Sequence, residues 1–324
     1  MKRFILILAV AVLALGCLTA CGNGGKDNGK LKIVTTIFPE YDWVMNILGD
    51  NPAGAEVTML LDSGVDLHSF QPTAEDILKI ASCDMFIYVG GESDAWVEDA
   101  LRNASNKNRI VINLLEVLGD KVKEEELVEG MQGEEEEEGE GEEEGPEYDE
   151  HVWLSLKNAS ILVNKIAESI AKLDPEHKSI YSFNAKNYGD KLNTLDTSFK
   201  EAVDAASVKT LLFGDRFPFR YLTDDYGLKY YAAFVGCSAE TEASFKTIVF
   251  LANKMDELSL HAVMTIEGTD HRIAETIIQN THSKDQKVLT LDSMQSVTSA
   301  DVKSGTTYLG IMESNLAVLK EALK

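Results

Sequence analysis

Apolar positions along this chain fall into two kinds of run, and the two alternate. Residues 31–37 (LKIVTTI) and 56–60 are short and rich in β-branched side chains, and both read as strands. Residues 85–89 (MFIYV) form a continuous apolar run, as a buried parallel strand does, and 110–114 reads as a further strand. Between these runs the spacing changes to three and four. Residues 39–48 place Tyr41, Val44, Met45 and Leu48 at helical intervals. Residues 72–81 carry Ile77, Leu78 and Ile80 behind Thr73, a predicted N-cap with Asp76 at the capping-box position. Gly90-Gly91 closes the third strand, and 93–101 reads as helix. Strand and helix in strict alternation predict an α/β lobe built on a parallel sheet.

The alternation then stops and later resumes. Residues 158–173 read as a helix, and Asp174-Pro175 punctuates it, with Asp174 as the predicted cap of the next helix and Pro175 at its first position. From there to about Ala206, the residues Ile180, Phe183, Tyr188, Leu192, Leu195, Phe199 and Val203 recur at three- to four-residue spacing. That pattern predicts one amphipathic helix about 45 Å long. Beyond it, strands are expected at 209–213, 229–234, 262–266 and 287–291, with helices at 218–226, 241–258, 270–281 and 306–323. The predicted fold class is therefore α/β: two α/β lobes with parallel sheets joined by one long rigid helix.

The ends and the charge refine this picture. Lys2-Arg3 precedes an apolar stretch, 4–18, too short to span a membrane comfortably, and Leu18-Thr19-Ala20-Cys21 is similar to a bacterial lipoprotein cleavage site. Residues 1–20 are expected to be a signal peptide, with Cys21 lipidated and Cys17 the weaker alternative. Residues 21–30 are then a flexible tether to the membrane. The first lobe is expected over 31–157 with an acidic insertion at 120–150, the linking helices over 158–206, and the second lobe over 207–324. The formal net charge of -24 is concentrated in that insertion, whose glutamate-glycine run ends at 133–155 as GEEEEEGEGEEEGPEYDEHVWLS. The run has no periodicity and cannot build a core. A surface so acidic repels phosphate backbones, which argues against a nucleic-acid partner and is compatible with cations.

Candidate chemistry is sparse. No phosphate loop, nucleophile elbow, H-E-x-x-H or dinucleotide fingerprint is present. His177, His261 and His282 read as surface positions, and His271 opens a helix after Gly268-Thr269-Asp270. His68 lies in GVDLHSFQP, between a strand end and a helix start, where α/β sheets bind ligands. His151 follows the acidic run directly. Two neutral imidazoles suit zinc and its neighbours, and ordinary loop histidines are the plainer alternative. Cys83 and Cys237 could pair in an oxidising compartment, but they fall in different lobes, which argues against a disulfide. Cys237 as a soft metal ligand is a weaker reading still.

The lipoprotein signal, GVDLHSFQPTAEDI, CDMFIYVGGESDAW, DEHVWLS after the acidic insertion, the long helix, RFPFRYLTDDYGL and LDSMQS occur in one order. In that order the chain resembles the metal-specific solute-binding lipoproteins of bacterial ABC importers, the zinc and manganese receptors, over essentially the whole mature chain. The resemblance implies a metal cleft between the lobes, with His68 and His151 as ligands from the first lobe and Asp292 from the second. At the remaining position this chain has Arg216, which has no lone pair to give. Asp215 is then the expected ligand, with Glu267 or His271 as alternatives. Arg216 is expected behind the ligands, paired with an acid lining the cleft, Asp292 first. The implied cargo is Zn2+, ahead of manganese, because imidazoles favour it. The implied role is a monomeric, non-enzymatic extracytoplasmic receptor, held at the membrane by its lipid, that delivers metal to an ABC importer permease. A lipid-anchored zinc-dependent hydrolase and a surface adhesin on the same scaffold are the alternatives. The acidic loop stands where zinc receptors of this kind carry a metal-gathering loop, and it is either such a device or a solvated insertion.

Overall fold

A computed structural model describes residues 30–102, 105–132, 147–238 and 242–324, and its compact body is Leu31–Lys324. The expected signal peptide, the lipidation site Cys21, its alternative Cys17 and the glutamate run of 133–146 lie outside the described residues. Among the described residues, eight strands form two four-stranded sheets, and every pairing is parallel. The first sheet contains β1 (Lys32–Thr35), β2 (Glu56–Met59), β3 (Met85–Tyr88) and β4 (Ile110–Asn113) in the order β2-β1-β3-β4. The second contains β5 (Thr210–Phe217), β6 (Lys229–Val235), β7 (Ala262–Ile266) and β8 (Lys287–Leu291) in the order β6-β5-β7-β8. The two orders are the same topology used twice. In each, the strand order reverses beside the lobe's first strand, and the crevice beyond the strand ends there is where such sheets take ligands.

Helices α1 (Phe38–Leu48), α2 (Ala74–Ser82), α3 (Trp96–Arg102) and α4 (Leu114–Leu118) connect the first sheet. Thr73 caps α2 as the sequence predicts: its hydroxyl accepts from the Asp76 N–H, and Asp76 reaches back to the Thr73 N–H. Helix α5 (Leu156–Leu173) and the 28-residue α6 (Lys178–Ala205) form a hairpin between the lobes, with α6 about 42 Å long. Asp174 does not cap α6. Its carboxylate instead takes the Tyr181 hydroxyl and the His177 ring, and a single 3-10 turn, Pro175–His177, leads into the helix. The second lobe adds α7 (Arg220–Tyr226), α8 (Phe245–Leu258), α9 (Arg272–Gln279), the short α10 (Ser299–Lys303), which no periodicity announces, and α11 (Tyr308–Ala322).

Strand β5 runs four residues past its expected end. Gly214, Asp215 and Arg216 break the apolar pattern, yet the backbone stays extended through them and rejoins β6 at Arg216↔Phe234 after a register shift. The extension carries Asp215 and Arg216 to the cleft end of the sheet.

One apolar cluster unites the body. It takes Ile33, Phe86 and Ile87 from the first sheet, Leu162, Ile166, Tyr181, Leu192 and Phe199 from the hairpin, and Leu211, Phe213 and Met264 from the second sheet. Alternation along β5 sends Leu212 to the opposite face, where it meets Leu251, Met255 and Ile277 from α8 and α9. The lobes also touch directly. Trp43 of α1 and Tyr308 of α11 stack edge to face at 5.3 Å, the Trp153 indole donates to the Ser293 carbonyl at 2.9 Å, and the Tyr308 hydroxyl donates to the Trp153 carbonyl at 2.6 Å.

The described part of the acidic insertion is a strap rather than a free excursion. Lys123 N–H donates to the Tyr221 hydroxyl at 3.0 Å, and Gln132 N–H donates to Ala233 of the edge strand β6 at 2.9 Å. The returning chain is tied to the outgoing one by Glu125 N–H to Glu147 O at 3.0 Å and Asp149 N–H to Lys123 O at 2.9 Å. The strap thus crosses from the first lobe to the second and comes back directly before His151.

Glu40, in the first turn of α1, is fully buried. One of its carboxylate oxygens accepts from the Thr36 N–H (2.8 Å), the Thr36 hydroxyl (3.1 Å) and the Ile37 N–H (3.3 Å), and the other has no partner. Burial, and then the charge of Asp94, pushes its carboxyl from 4.5 up to about 8. The folded chain therefore holds a proton that the unfolded chain releases. The stability this contributes is complete below about pH 4.5 and is lost as pH rises through 8. We expect the chemical-unfolding midpoint of Glu40→Gln to depend less steeply on pH between about 5 and 8 than that of the wild type; identical slopes would refute the assignment.

Candidate metal centre

His68 and His151 meet although 83 residues separate them. His68 sits in a 3-10 turn, Leu67–Ser69, beyond the end of β2, and Asp66 caps that turn by accepting from the His68 N–H at 3.0 Å. His151 opens the turn Val152–Leu154, whose apolar side chains are buried and fix its backbone, while Asp149 accepts from the His151 N–H at 2.9 Å. The His151 side chain is completely buried.

The two rings face each other Nε2 to Nε2 at 3.2 Å. The far nitrogen of each ring is engaged: His68 Nδ1 with the Ser93 hydroxyl at 2.7 Å, and His151 Nδ1 with the Asp149 carboxylate at 3.1 Å. An ionised carboxylate only accepts, so Asp149 fixes the Nδ1–H tautomer of His151 and aims its Nε2 lone pair at His68. Two such lone pairs repel at this distance unless a proton or a cation lies between them. Tetrahedral zinc with Zn–N bonds of about 2.05 Å spaces its nitrogen ligands about 3.3 Å apart. The separation present is close to that edge.

Protons are arranged unequally over the pair. Burial, and then the neighbouring His151, drives His68 down to about 3. Burial alone would lower His151 too, but Asp149 outweighs it and the imidazole titrates above its usual range. A dication replaces one proton there, and His68 presents its lone pair throughout the neutral range. Behind His68 lies a second carboxylate, Glu150, 3.7 Å from Nδ1 and accepting from the Ser93 N–H at 2.9 Å. Gly91 makes room for it: at φ +81 it adopts a conformation other residues resist, and a Cβ there would come within 2.2 Å of the Glu150 carboxylate.

Of the side chains expected to complete the site, the structure brings in neither aspartate. Among the described residues, the group of potential ligands within mutual reach is His68, His151 and Cys237, all within 4.8 Å of one another. Asp215 is used inside its own lobe, where its carboxylate accepts from the Arg216 N–H (2.9 Å), the Ile266 N–H (3.2 Å) and the Thr269 hydroxyl (2.9 Å). Asp292 accepts from the Met294 N–H at 2.8 Å, and burial, and then Glu267, pushes it up to about 6. Glu267 holds the same loop by accepting from Ser293 and Gln295. His271 stands apart in a left-handed conformation at the start of α9.

Cys237, which the sequence offers only as a weak reading of a soft metal ligand, is the residue that joins the pair. It follows Gly236 in the loop after β6, a strand-end position of the same kind that marked His68. Gly236 permits the approach, since a Cβ there would stand 3.0 Å from His151 Cε1 and 2.9 Å from the Phe217 carbonyl. Both cysteines are free: Cys83 is buried in the first lobe and Cys237 lines the cleft, so no disulfide joins them. Burial, and then Glu125 and Asp149, pushes the Cys237 thiol far above its usual range.

Arg216 also differs from expectation. Its partner is Asp66 and not Asp292: Nη2 donates across the cleft to Asp66 Oδ2 at 2.7 Å, and Nη1 reaches the Ser238 carbonyl at 3.4 Å. The extension of β5 carries the guanidinium to the first-lobe turn, whereas Asp292 is occupied within its own loop. Burial would raise Asp66, but Arg216 and then His68 hold it below its usual range. Asp66 thus joins three parts, accepting from the backbone of His68 and from the arginine of the other lobe. A cavity lined by Asp66, Asp215, Arg216, Thr269 and His271 opens beside the pair.

Comparisons with known proteins identify the family. The family model described as ZnuA, zinc-uptake complex component A, periplasmic, matches residues 33–322. The zinc-binding lipoprotein AdcA of Streptococcus pneumoniae is 33% identical over 99% of this chain, which spans only 61% of AdcA. The high-affinity zinc uptake system protein ZnuA of Bacillus subtilis is 30% identical, over 94% of this chain and 93% of its own length. Among solved structures, the Zn(II)-bound ZnuA-like domain of S. pneumoniae AdcA superposes with a TM-score of 0.69 at 29% identity, covering 91% of this chain and 99% of that domain. The metal-dependent lipoprotein YcdH of B. subtilis gives 0.72 at 27% identity, covering 91% of this chain and 99% of that one.

If Arg216 and Asp66 act as one clasp, Arg216→Ala and Asp66→Asn will each destabilise the chain, and together by less than the sum. A double-mutant cycle by urea unfolding should return a coupling of about 1 kcal/mol; strictly additive losses would show that the two do not interact.

Proposed function

The chain belongs to the ZnuA family of zinc-uptake components, and from that premise we propose that it is an extracytoplasmic receptor that captures a divalent cation, zinc first, between its lobes and hands it to an ABC importer permease. The observation that carries the reading is the facing pair of imidazoles, His68 and His151, with Nε2 atoms 3.2 Å apart and both far nitrogens engaged. The relatives named as zinc-binding and zinc-uptake proteins support the same cargo. The chain spans about three fifths of the AdcA relatives, so the role is argued from this chain's own cleft and from the ZnuA relative it matches nearly end to end.

Capture follows from the parts. The lone pairs of His68 and His151 bind the cation, Asp149 strengthens the second imidazole as a donor, and the loss of the shared proton couples uptake to pH. Imidazole ligands favour zinc over manganese and calcium. Release needs the Asp66–Arg216 and Trp153–Ser293 contacts to part, which a permease docking on both lobes at once could bring about. The matched family is one of zinc-uptake components, which favours a receptor over a hydrolase. Cys21 is the proposed lipid anchor that keeps the receptor beside the permease.

His68→Ala and His151→Ala should each weaken zinc at least tenfold, about 1.4 kcal/mol, in competition with a chromophoric chelator. Unchanged affinity in both variants would remove the site. For the anchor, mass analysis of the mature N-terminus should find a diacylglyceryl-modified Cys21; an unmodified terminus elsewhere would refute it.

A further inference from the structure

We propose that Cys237 supplies the third metal ligand as a thiolate, so that the cleft is a two-imidazole, one-thiolate site that favours zinc-class cations and discriminates against manganese. The inference deepens the proposed function and rests on the same cleft.

Placement is the first argument. Cys237 comes from the second lobe, whereas both histidines come from the first, so a cation bound by all three spans the cleft. Its backbone is fixed on both sides. The Cys237 N–H donates to Glu125 Oε1 of the strap at 3.1 Å, the Ser238 N–H donates back to the Val235 carbonyl at 3.4 Å, and Gly236 lies against the His151 ring. A tetrahedral zinc with Zn–N of about 2.05 Å and Zn–S of about 2.3 Å sets nitrogen and sulfur about 3.6 Å apart. Each of the three residues offers a ligand atom, and these already lie within 4.8 Å of one another. The distance left to close is about 1.2 Å at most.

Charge is the second argument. Arg216 stands at the end of β5 and cannot ligate, and its guanidinium is paired with Asp66. Asp149 and Glu150 lie behind the two imidazoles, at 3.1 and 3.7 Å, and do not face the cation directly. A thiolate would place a negative charge in direct contact with the cation, on the side of the cleft where this chain carries an arginine.

The reaction balances simply. Without metal the buried thiol keeps its proton; on binding, the S–H bond breaks, the proton leaves to solvent and the sulfur donates its electron pair to the cation. Zinc forms a strong bond to thiolate and offsets the cost of that deprotonation. Manganese, a harder ion that prefers oxygen donors, gains much less from the same sulfur.

Cobalt(II), loaded into the full-length purified protein under reducing conditions, tests the inference directly. Its visible ligand-field bands report a tetrahedral site, and a near-ultraviolet thiolate-to-cobalt charge-transfer band reports sulfur. We expect both in the wild type and in Cys83→Ala, and only the ligand-field bands in Cys237→Ser. Zinc affinity in Cys237→Ser should fall roughly tenfold or more while manganese affinity changes little, so the zinc-to-manganese ratio collapses. Ligand-field bands without charge transfer in the wild type would overturn thiolate ligation and leave the two-histidine site standing, and this result does not depend on any variant folding. Unchanged zinc affinity in a folded Cys237→Ser would do the same. A wild type that shows no cobalt bands and binds no zinc would overturn the proposed function itself.

Discussion

Two imidazole nitrogens held 3.2 Å apart inside a protein need a proton or a cation between them. Much of the surrounding structure keeps them there. Asp149 and Ser93 hold the far nitrogens, so neither ring can swing away without breaking a hydrogen bond. Asp66 pins the turn beneath His68, and the buried Val152–Leu154 turn pins the backbone after His151. These supports keep the two donor atoms in place while a cation takes over from the shared proton.

Those supports reach into the core. Trp153, two residues from His151, is wholly buried, and its indole and carbonyl are bonded to Ser293 and to Tyr308. Tyr308 begins α11, whose ring stacks with Trp43 of the first lobe. The α5–α6 hairpin lies in the same apolar cluster as both sheets. A long helix between two lobes resists a hinge at its middle, because bending it would break backbone hydrogen bonds. Relative movement of the lobes is then restricted to small rotations about the packed hairpin, and the side-chain contacts across the cleft set how closed the site is.

Much of the architecture was legible because it is written locally. Strand runs and helical spacing gave two lobes, parallel sheets and a long helix, since each follows from neighbours in sequence. His68 and His151 were legible too, as loop histidines at strand ends and through family resemblance. What failed was non-local. The end of β5 was misplaced because Gly214, Asp215 and Arg216 look like a turn, and only pairing with β6 keeps them extended. Asp215 and Asp292 carried the right chemistry for ligands, but Asp215 accepts from the Ile266 N–H of β7 and the Thr269 hydroxyl, and Asp292 from the Met294 N–H of its own loop, which no spacing discloses. The partner of Arg216 was misassigned for the same reason, as Asp66 lies in the other lobe. Cys237 sits in a Gly-Cys-Ser segment with no motif, and its neighbours in space are both in the first lobe.

The strap has a consequence for how such a protein can change. Its two ends are held by backbone bonds, Gln132 to Ala233 and Glu125 to Glu147, and these are indifferent to side-chain identity. Whatever lies between positions 132 and 147 is therefore spliced onto fixed posts. Lengthening it costs little, since closing a loop becomes only about 0.6 kcal/mol harder for each doubling of its length. Glutamates can replace other residues there, or the stretch can expand and contract, while Glu125, Asp149 and His151 keep their places. A change in the length or composition of that stretch would leave the cleft's own contacts in place.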